Sequence, residues 1–327
     1  MDDVFPPSRF HEARALIAGS VHRTPLVSSR YLTERVGVPV FLKCENLQKT
    51  GAFKVRGALH RLLTLSDEDR GRGVITISAG NHAQATAWAA SAAGVPSVVV
   101  MPEKASPTKV VASREYGAEV ILHGDAAAAF RRVRELAEER ALTFVHPFDD
   151  PEVVAGHGSV MLEILEDLPE VGAVVVPVGG GGLVSGIAAA GGALRPDVAV
   201  WGVEPEGANA MSRSLAEGHA VHLDAVSTIA DGLGAPMAGE LNHRLVAEHC
   251  RGVVQVSDRE IARSLVTLLE RTKLLVEPAG AAGVAALVAG RIPVERGRSV
   301  VVVLSGGNVD RALLARILDG EADESGI

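Results

Sequence analysis

Aromatic side chains are scarce in this 327-residue sequence, at 3% of the chain. So few rings supply no platform on which bases stack. A formal charge of −8 also argues against the clustered basic face of a nucleic-acid footprint. Two cysteines, Cys44 and Cys250, stand far apart with no CxxC spacing. That pattern excludes a disulfide scaffold and a cysteine-rich zinc site, and it fits a reducing compartment. No uninterrupted apolar run reaches the about 20 residues of a membrane-spanning helix. The opening MDDVFPPSRF lacks the basic-then-apolar order of a secretory signal. Fixed-period repeats and low-complexity linkers are missing as well. Together these absences predict a soluble cytoplasmic protein that engages neither nucleic acid nor membrane.

What is present is apolar and small: 47% hydrophobic residues, mostly Ala, Val and Leu, with 35 glycines. That is enough for a large core in one big domain or two. Short β-branched runs, such as Val74–Ser78, Ser97–Met101, Ala173–Val178 and Ser299–Leu304, are apolar throughout, as strands buried on both faces are. Similar runs lie at Val40–Leu42, Glu119–Leu122, Val198–Val203 and Val253–Val256. Between them lie helical patterns at Ala52–Leu65, Asn81–Ala93, Ser106–Tyr116, Ala126–Glu138, Val153–Leu168, Gly182–Leu194, Asp258–Thr272, Ala279–Val288 and Arg311–Leu318. The alternation predicts a doubly wound α/β architecture, with one sheet over roughly 74–145 and another from its flanks. The stretch His146–Asp150 reads as a junction loop, and the tail Gly320–Ile327 as frayed.

Three strands run into small-residue turns that open helices: Ala79-Gly80-Asn81-His82, Gly179-Gly180-Gly181-Gly182 and Ser305-Gly306-Gly307-Asn308. Glycine lets backbone N–H groups approach a ligand, and a helix N-terminus adds partial positive charge, so each turn is a candidate anion site. The run continues as Gly182-Leu183-Val184, which lacks the GK[ST] of a nucleotide P-loop. A nicotinamide-dependent oxidoreductase is the rival from another class, because Glu204 follows about 20 residues on, where a ribose-binding acid would sit. Against it, G-x-G-x-x-G fails from Gly179, where Val184 takes the last place, and from Gly180, where Ser185 does.

The segment Lys43-Cys44-Glu45-Asn46-Leu47-Gln48-Lys49-Thr50-Gly51-Ala52-Phe53-Lys54-Val55-Arg56-Gly57-Ala58 places three lysines at a strand-to-helix junction. Lysine is ordinarily a solvated surface residue, and residue chemistry alone does not choose among Lys43, Lys49 and Lys54. Phe53 and Val55 give Lys54 apolar neighbours, and desolvation favours the neutral amine that Schiff-base chemistry needs. This segment resembles the lysine-bearing motif of the fold-type-II, tryptophan-synthase-β-like pyridoxal-phosphate (PLP) enzymes. Within them it is similar to the threonine dehydratase and serine racemase family. The resemblance extends over nearly the whole chain through Ser78-Ala79-Gly80-Asn81-His82-Ala83-Gln84, His146-Pro147-Phe148-Asp149-Asp150-Pro151, Gly179–Leu183, Glu277-Pro278 and Ser305-Gly306-Gly307-Asn308.

The resemblance implies a large PLP-binding domain of residues 1–70 and 150–327, and a small domain of residues 71–149 carrying the substrate-carboxylate turn. It implies that Lys54 holds PLP as a Schiff base and later moves the Cα proton. Phe53 would pack beside the ring, Asn81 would bond its O3′, and the Ser305 hydroxyl would meet the pyridine nitrogen. Amides of Gly179, Gly180, Gly181, Gly182 and Leu183 would cradle the phosphate. Backbone groups of Ser78, Ala79, Gly80, Asn81 and His82 would bind the substrate carboxylate, and Glu277 would line the site. A neutral Ser305 partner makes the ring a milder electron sink, which favours β-elimination. The expected reaction is loss of water from L-threonine, with L-serine second, to give a 2-oxo acid and ammonia. The expected assembly is a homo-oligomer, dimer or tetramer.

Departures from the family pattern sharpen the choice between dehydratase and racemase. Family racemases carry a serine as acid/base where this chain has Ala79, and tend to have asparagine where it has Phe148. Both favour a dehydratase over a serine or hydroxyaspartate racemase. A divalent-cation site of the racemase type retains Glu204 and the Ala208 carbonyl, but its second acid is Ala210. A plain strand-end acid is the preferred reading of Glu204. His82 and His157 are expected to be hydrogen-bonded structural residues, and Asp231 to lie in a loop near the site. With about 20 residues following Asn308 in this sequence, feedback inhibition through the appended regulatory domain of longer dehydratases is not expected.

Overall fold

Residues 4–320 are described by a computed structural model of the chain. Among them, strands lie at Leu26–Ser28 (β1), Val40–Lys43 (β2), Val74–Ile77 (β3), Ser97–Met101 (β4), Glu119–Leu122 (β5), Thr143–Phe144 (β6), Val171–Pro177 (β7), Ala199–Pro205 (β8), Gly252–Val256 (β9) and Ser299–Val303 (β10). Helices lie at Pro7–Ile17 (α1), Arg30–Val36 (α2), Lys54–Leu63 (α3), Asp67–Arg72 (α4), Asn81–Ala93 (α5), Pro107–Glu115 (α6), Ala126–Glu139 (α7), Pro151–Asp167 (α8), Gly182–Leu194 (α9), Ala210–Glu217 (α10), Glu240–His249 (α11), Asp258–Thr272 (α12), Pro278–Val288 (α13) and Arg311–Leu318 (α14).

The strands form two sheets. One has six strands in the order β1-β2-β10-β7-β8-β9, parallel except for β1 against β2. The other has four parallel strands in the order β5-β4-β3-β6. Apolar runs become central strands because both faces of the sheet are covered. Along β10, Val300 and Val302 join a core with Leu42, Val175, Leu265 and Val284, while Val301 and Val303 join the opposite core with Phe10, Val174, Val176 and Ile187. The α/β doubly wound expectation holds.

Each strand and helix expected from the sequence appears, with ends shifted by a few residues. The expected helix from Ala52 starts at Lys54 instead. Residues Lys49–Gly51 form a tight 3₁₀ turn, and Ala52 is extended and bridges to Gly306. Sequence patterning missed β1, β6, α1, α2, α4, α10 and α11. The two strands are only three and two residues long, too short for a period to register. Helix α4 buries none of its side chains, and α11 buries Asn242 and His243 beside Leu245 and Val246, so polarity hides its inner face. Apart from Gly320, the tail expected to be frayed lies outside the described residues.

Close packing of α3 on α8 sets where Lys54 can stand. A Cβ at Gly57 would meet His157 Cε1 at 2.5 Å, and one at Gly156 would meet the Arg56 carbonyl at 2.6 Å, so both contact points require glycine. Beneath this crossing lies a buried ion cluster of Lys43, Glu45, Arg56 and Glu163, none more than 4% exposed. Arg56 bonds both Glu45 oxygens at 2.8 Å and Glu163 at 2.7 and 2.9 Å, and Lys43 Nζ bonds Glu163 at 2.6 Å. With two charges of each sign, every buried ion faces an opposite one, which is the condition for keeping charge in an apolar interior.

Candidate active site

The C-terminal ends of β3, β7 and β10 converge on one cavity of about 690 Å³, at the position where open α/β sheets hold ligands. Its wall includes Phe53, Lys54, Ser78–His82, Gly179–Leu183, Glu277 and Ser305. Tertiary structure thus gathers every cofactor- and substrate-binding residue expected from the sequence onto one surface. Glu204 and Ala208 are not part of that wall.

The three lysines of the junction segment separate completely. Lys43 is consumed by the buried ion cluster, Lys49 sits on the 3₁₀ turn, and only Lys54 lines the cavity. Lys54 is the first residue of α3, its Nζ 2.7 Å from the Pro147 carbonyl and 5.1 Å from the centre of the Phe53 ring. Burial pushes its amine down to about 8, against the pull of the Glu277 carboxylate. Glu277 is itself pushed up to about 8, first by burial and then by the nearby negative charge of Asp231. Asn81 Nδ2 donates to Glu277 Oε1 at 2.7 Å, tying the first turn of α5 to the residue that precedes α13.

Two helix N-termini face this space. At α9, Gly181 takes φ +102°, and a Cβ there would meet Met211 Cε at 2.6 Å and Asn242 Cβ at 2.7 Å. The Phe148 ring lies against Gly180 so closely that any side chain at 180 would collide with it. Asn242 Nδ2 donates to the carbonyls of Gly180 and Phe148, both at 3.0 Å, and fixes the loop from behind. At α5, the Gly80 N–H donates to Ser78 Oγ at 3.0 Å and the Ala83 N–H bonds back to the Gly80 carbonyl at 3.1 Å, which leaves the amides of Asn81 and His82 for a ligand.

Histidines ring the lysine without charging. His82 bonds Thr76 Oγ1 at 3.0 Å and the Val145 carbonyl at 3.3 Å, and burial pushes it down to about 3. His157 departs from expectation: both of its buried ring nitrogens lack a partner, and it packs edge-on to Phe53, 4.8 Å between centres. It is wedged between Gly57 of α3 and Gly186 of α9, and burial pushes it well below the ordinary imidazole range.

Sequence reasoning missed Lys109 on the wall and the residues that brace the wall from behind. Lys109 of α6 and Asp231 form an ion pair of 2.7 Å, joining the four-stranded sheet's helices to the turn beside Gly232. Asp231 was expected nearby but without a role. Asn242 went unseen because α11 was unseen. Asp149 of the HPFDD stretch accepts from the amides of Glu240 and Leu241, capping α11.

Glu204 has another task. Its oxygens accept from Met211 N at 2.7 Å and from Ser212 N and Oγ at 2.9 and 2.7 Å, so it caps α10, and burial pushes it up to about 7. The divalent-cation reading is therefore not carried by Glu204 and Ala208. Among the described residues no group of three or more His, Cys, Asp or Glu has the arrangement of a metal site.

Residues 17–306 match the family model described as pyridoxal-phosphate dependent enzyme. The chain belongs to that family. It is 44% identical over 316 residues to an L-threonine ammonia-lyase of Thermotoga maritima, covering 96% of this chain and 78% of the relative. It is 40% identical over 308 residues to the catabolic L-threonine dehydratase of Escherichia coli K12, covering 94% of each. Among solved structures, maize serine racemase superposes with a TM-score of 0.91 at 36% identity over 98% of both chains. The nicotinamide reading falls here. The acid it needed at a ribose is Glu204, fully buried with both oxygens held by α10.

Proposed function

We propose that this chain is a PLP-dependent ammonia-lyase that removes water from L-threonine, and secondarily L-serine, releasing a 2-oxo acid and ammonia. The observation that carries the reading is a single cavity with one desolvated lysine, two helix N-termini on its wall and no proton-bearing side chain at position 79. The donor set suits PLP. The amides of 179–183 at the α9 N-terminus suit its phosphate, Lys54 Nζ its aldehyde carbon, Ser305 its ring nitrogen, Asn81 its ring oxygen and Phe53 one edge. The turn of Ser78–His82 at α5 suits the substrate carboxylate. In this proposal residues 1–70 and 150–327 hold the cofactor and residues 71–149 bring the carboxylate turn.

When bound, the cofactor supplies the conjugated ring that accepts the electron pair left by the breaking Cα–H bond. The chain supplies positioning and proton traffic. The turn at Ser78–His82 would fix the substrate carboxylate, and so the face of Cα presented to Lys54. Lys54 Nζ, brought near neutrality by burial, takes the Cα proton. The Cβ–O bond breaks, its oxygen takes the proton that Lys54 Nζ now carries, and water leaves. The released enamine then hydrolyses to 2-oxobutanoate from threonine, or pyruvate from serine, plus ammonia. Ala79 offers a methyl group on the wall and carries no proton for a second face, so elimination is favoured over racemisation.

Assembly as a cytoplasmic dimer or tetramer belongs to the same proposal. Exposed Leu47 and Leu275 supply apolar surface for assembly, and light scattering measures it. The function is tested by loading the protein with PLP, recording its visible band, and assaying keto acid and ammonia from L-threonine, L-serine and threo-3-hydroxyaspartate. Keto acid from threonine that vanishes in Lys54→Ala is the expected result. Inverted Cα without keto acid would replace the lyase by a racemase, and turnover undiminished in Lys54→Ala would end the proposal.

A further inference from the structure

The turn after β10 ends in Asn308, a residue given no role so far. Its Nδ2 lies 2.7 Å from the Thr50 carbonyl and 2.9 Å from Asn81 Oδ1. A carbonyl oxygen only accepts, so the Asn308 atom beside Thr50 must be the amide nitrogen. Both of that nitrogen's hydrogens are then spent, one on Thr50 and one on Asn81. Asn81 must in consequence turn its oxygen toward Asn308 and its nitrogen the other way, where it meets Glu277 Oε1 at 2.7 Å. One Asn81 N–H goes to Glu277, and the second is left for an acceptor in the cavity that Asn81 lines.

The anchor of this relay is strained. Thr50 has φ +57°, an uncommon conformation for a side chain branched at Cβ. The turn it occupies is locked to the 305–308 turn by the bond from Gly307 N to the Gly51 carbonyl, 2.8 Å. Gly51, at φ +74°, leaves room for the Asn308 side chain, since a Cβ there would meet Asn308 Oδ1 at 2.5 Å. Distortion at Thr50 therefore aims a carbonyl at Asn308.

We infer that Asn308 is a positioning residue that turns the Asn81 amide nitrogen, rather than its oxygen, toward the ring oxygen of the bound cofactor. The inference rests on the proposed function and adds a residue to it. Replacing Asn308 by aspartate puts oxygen against Asn81 Oδ1, which favours the flipped amide and points an acceptor at the cofactor's acceptor. Asn308→Ala removes the steering without adding charge.

The test is a binding titration of wild type, Asn308→Asp and Asn308→Ala with PLP and with its 3-deoxy analogue, in which hydrogen replaces the ring oxygen. Asn308→Asp should weaken PLP about tenfold or more, the loss of a charge-assisted hydrogen bond. The analogue should bind wild type and variant within about twofold, having no oxygen for Asn81 to recognise. Asn308→Ala should show a smaller loss, again for PLP alone, and decides the matter if the aspartate variant does not fold. Equal weakening of PLP and analogue would mean that Asn308 only braces the turn, and no weakening of either would mean no steering. Both results overturn the inference while leaving the lyase intact. A wild type that takes up no PLP would overturn the proposed function as well.

Discussion

Lys54 and Glu277 are held on the cavity wall with their charged forms disfavoured, and their titration is directly measurable. Burial brings the Lys54 amine down to about 8. Capture of PLP by the cofactor-free protein needs the neutral amine. Its rate should climb about tenfold per pH unit below 8 and level off above, as read by stopped-flow absorbance. A rise continuing to about 10.5 would show an unperturbed lysine. Glu277 has a folded pKa of about 8, above its unfolded value, so the stability it contributes is fully present below about 4.5 and lost as pH rises to about 8. Replacing it by glutamine removes that dependence. The melting temperature of Glu277→Gln should therefore gain on wild type from pH 5 to pH 8 and hold a constant difference above, and a gap that narrows with pH would contradict the assignment. The chemistry of these residues is readable from their type, but their perturbation is not, because it comes from neighbours distant in the chain.

At the scale of elements, α3 carries Lys54 at its start and Arg56 two residues on, so one helix joins the reactive amine to the buried ion cluster. Arg56→Ala leaves Glu45 and Glu163 without their guanidinium, and should cost about 3–5 kcal/mol in denaturant unfolding. Lys54→Ala, which breaks no ion pair, should leave the midpoint of the cofactor-free protein close to wild type. The α9 turn offers a second contrast. Gly181→Ala must take φ +102° against Met211 and Asn242, whereas Gly218→Ala takes φ +77° with nothing within 4 Å. The second should cost about 1–2 kcal/mol of stability and leave cofactor affinity alone. The first should lower cofactor affinity too, as equilibrium dialysis would show. Elements with long apolar runs or clear helical spacing were legible in the sequence. Those missed were the two- and three-residue strands, α4, which buries none of its side chains, α11, whose inner face is partly polar, and α1, α2 and α10, which bury too few residues for a period to stand out.

The whole molecule closes around its cavity through contacts between the two sheets, and one of them is an exposed ion pair. Lys109 and Asp231 meet at 2.7 Å, with Asp231 62% exposed, so the pair is worth about 0–1 kcal/mol. A bond that weak suits an entrance that opens at each turnover. Lys109→Asp and Asp231→Lys should each raise KM for threonine up to about fivefold with the melt unchanged, and the double exchange should restore it. A double exchange no better than either single one would remove the pair from the cycle. The sequence by itself determined the α/β class, the three small-residue turns at strand ends and the segment bearing Lys54, because burial on both faces of a strand and tight strand-to-helix turns constrain residue type locally. The resemblance singled out Lys54; only the tertiary structure decided that Lys43 goes to a buried ion cluster, that Glu204 caps a helix, and that Asn308 reaches Thr50 across 258 positions. Those outcomes depend on hydrogen-bond and charge partners brought together by sheet order, and no local pattern of residues encodes them.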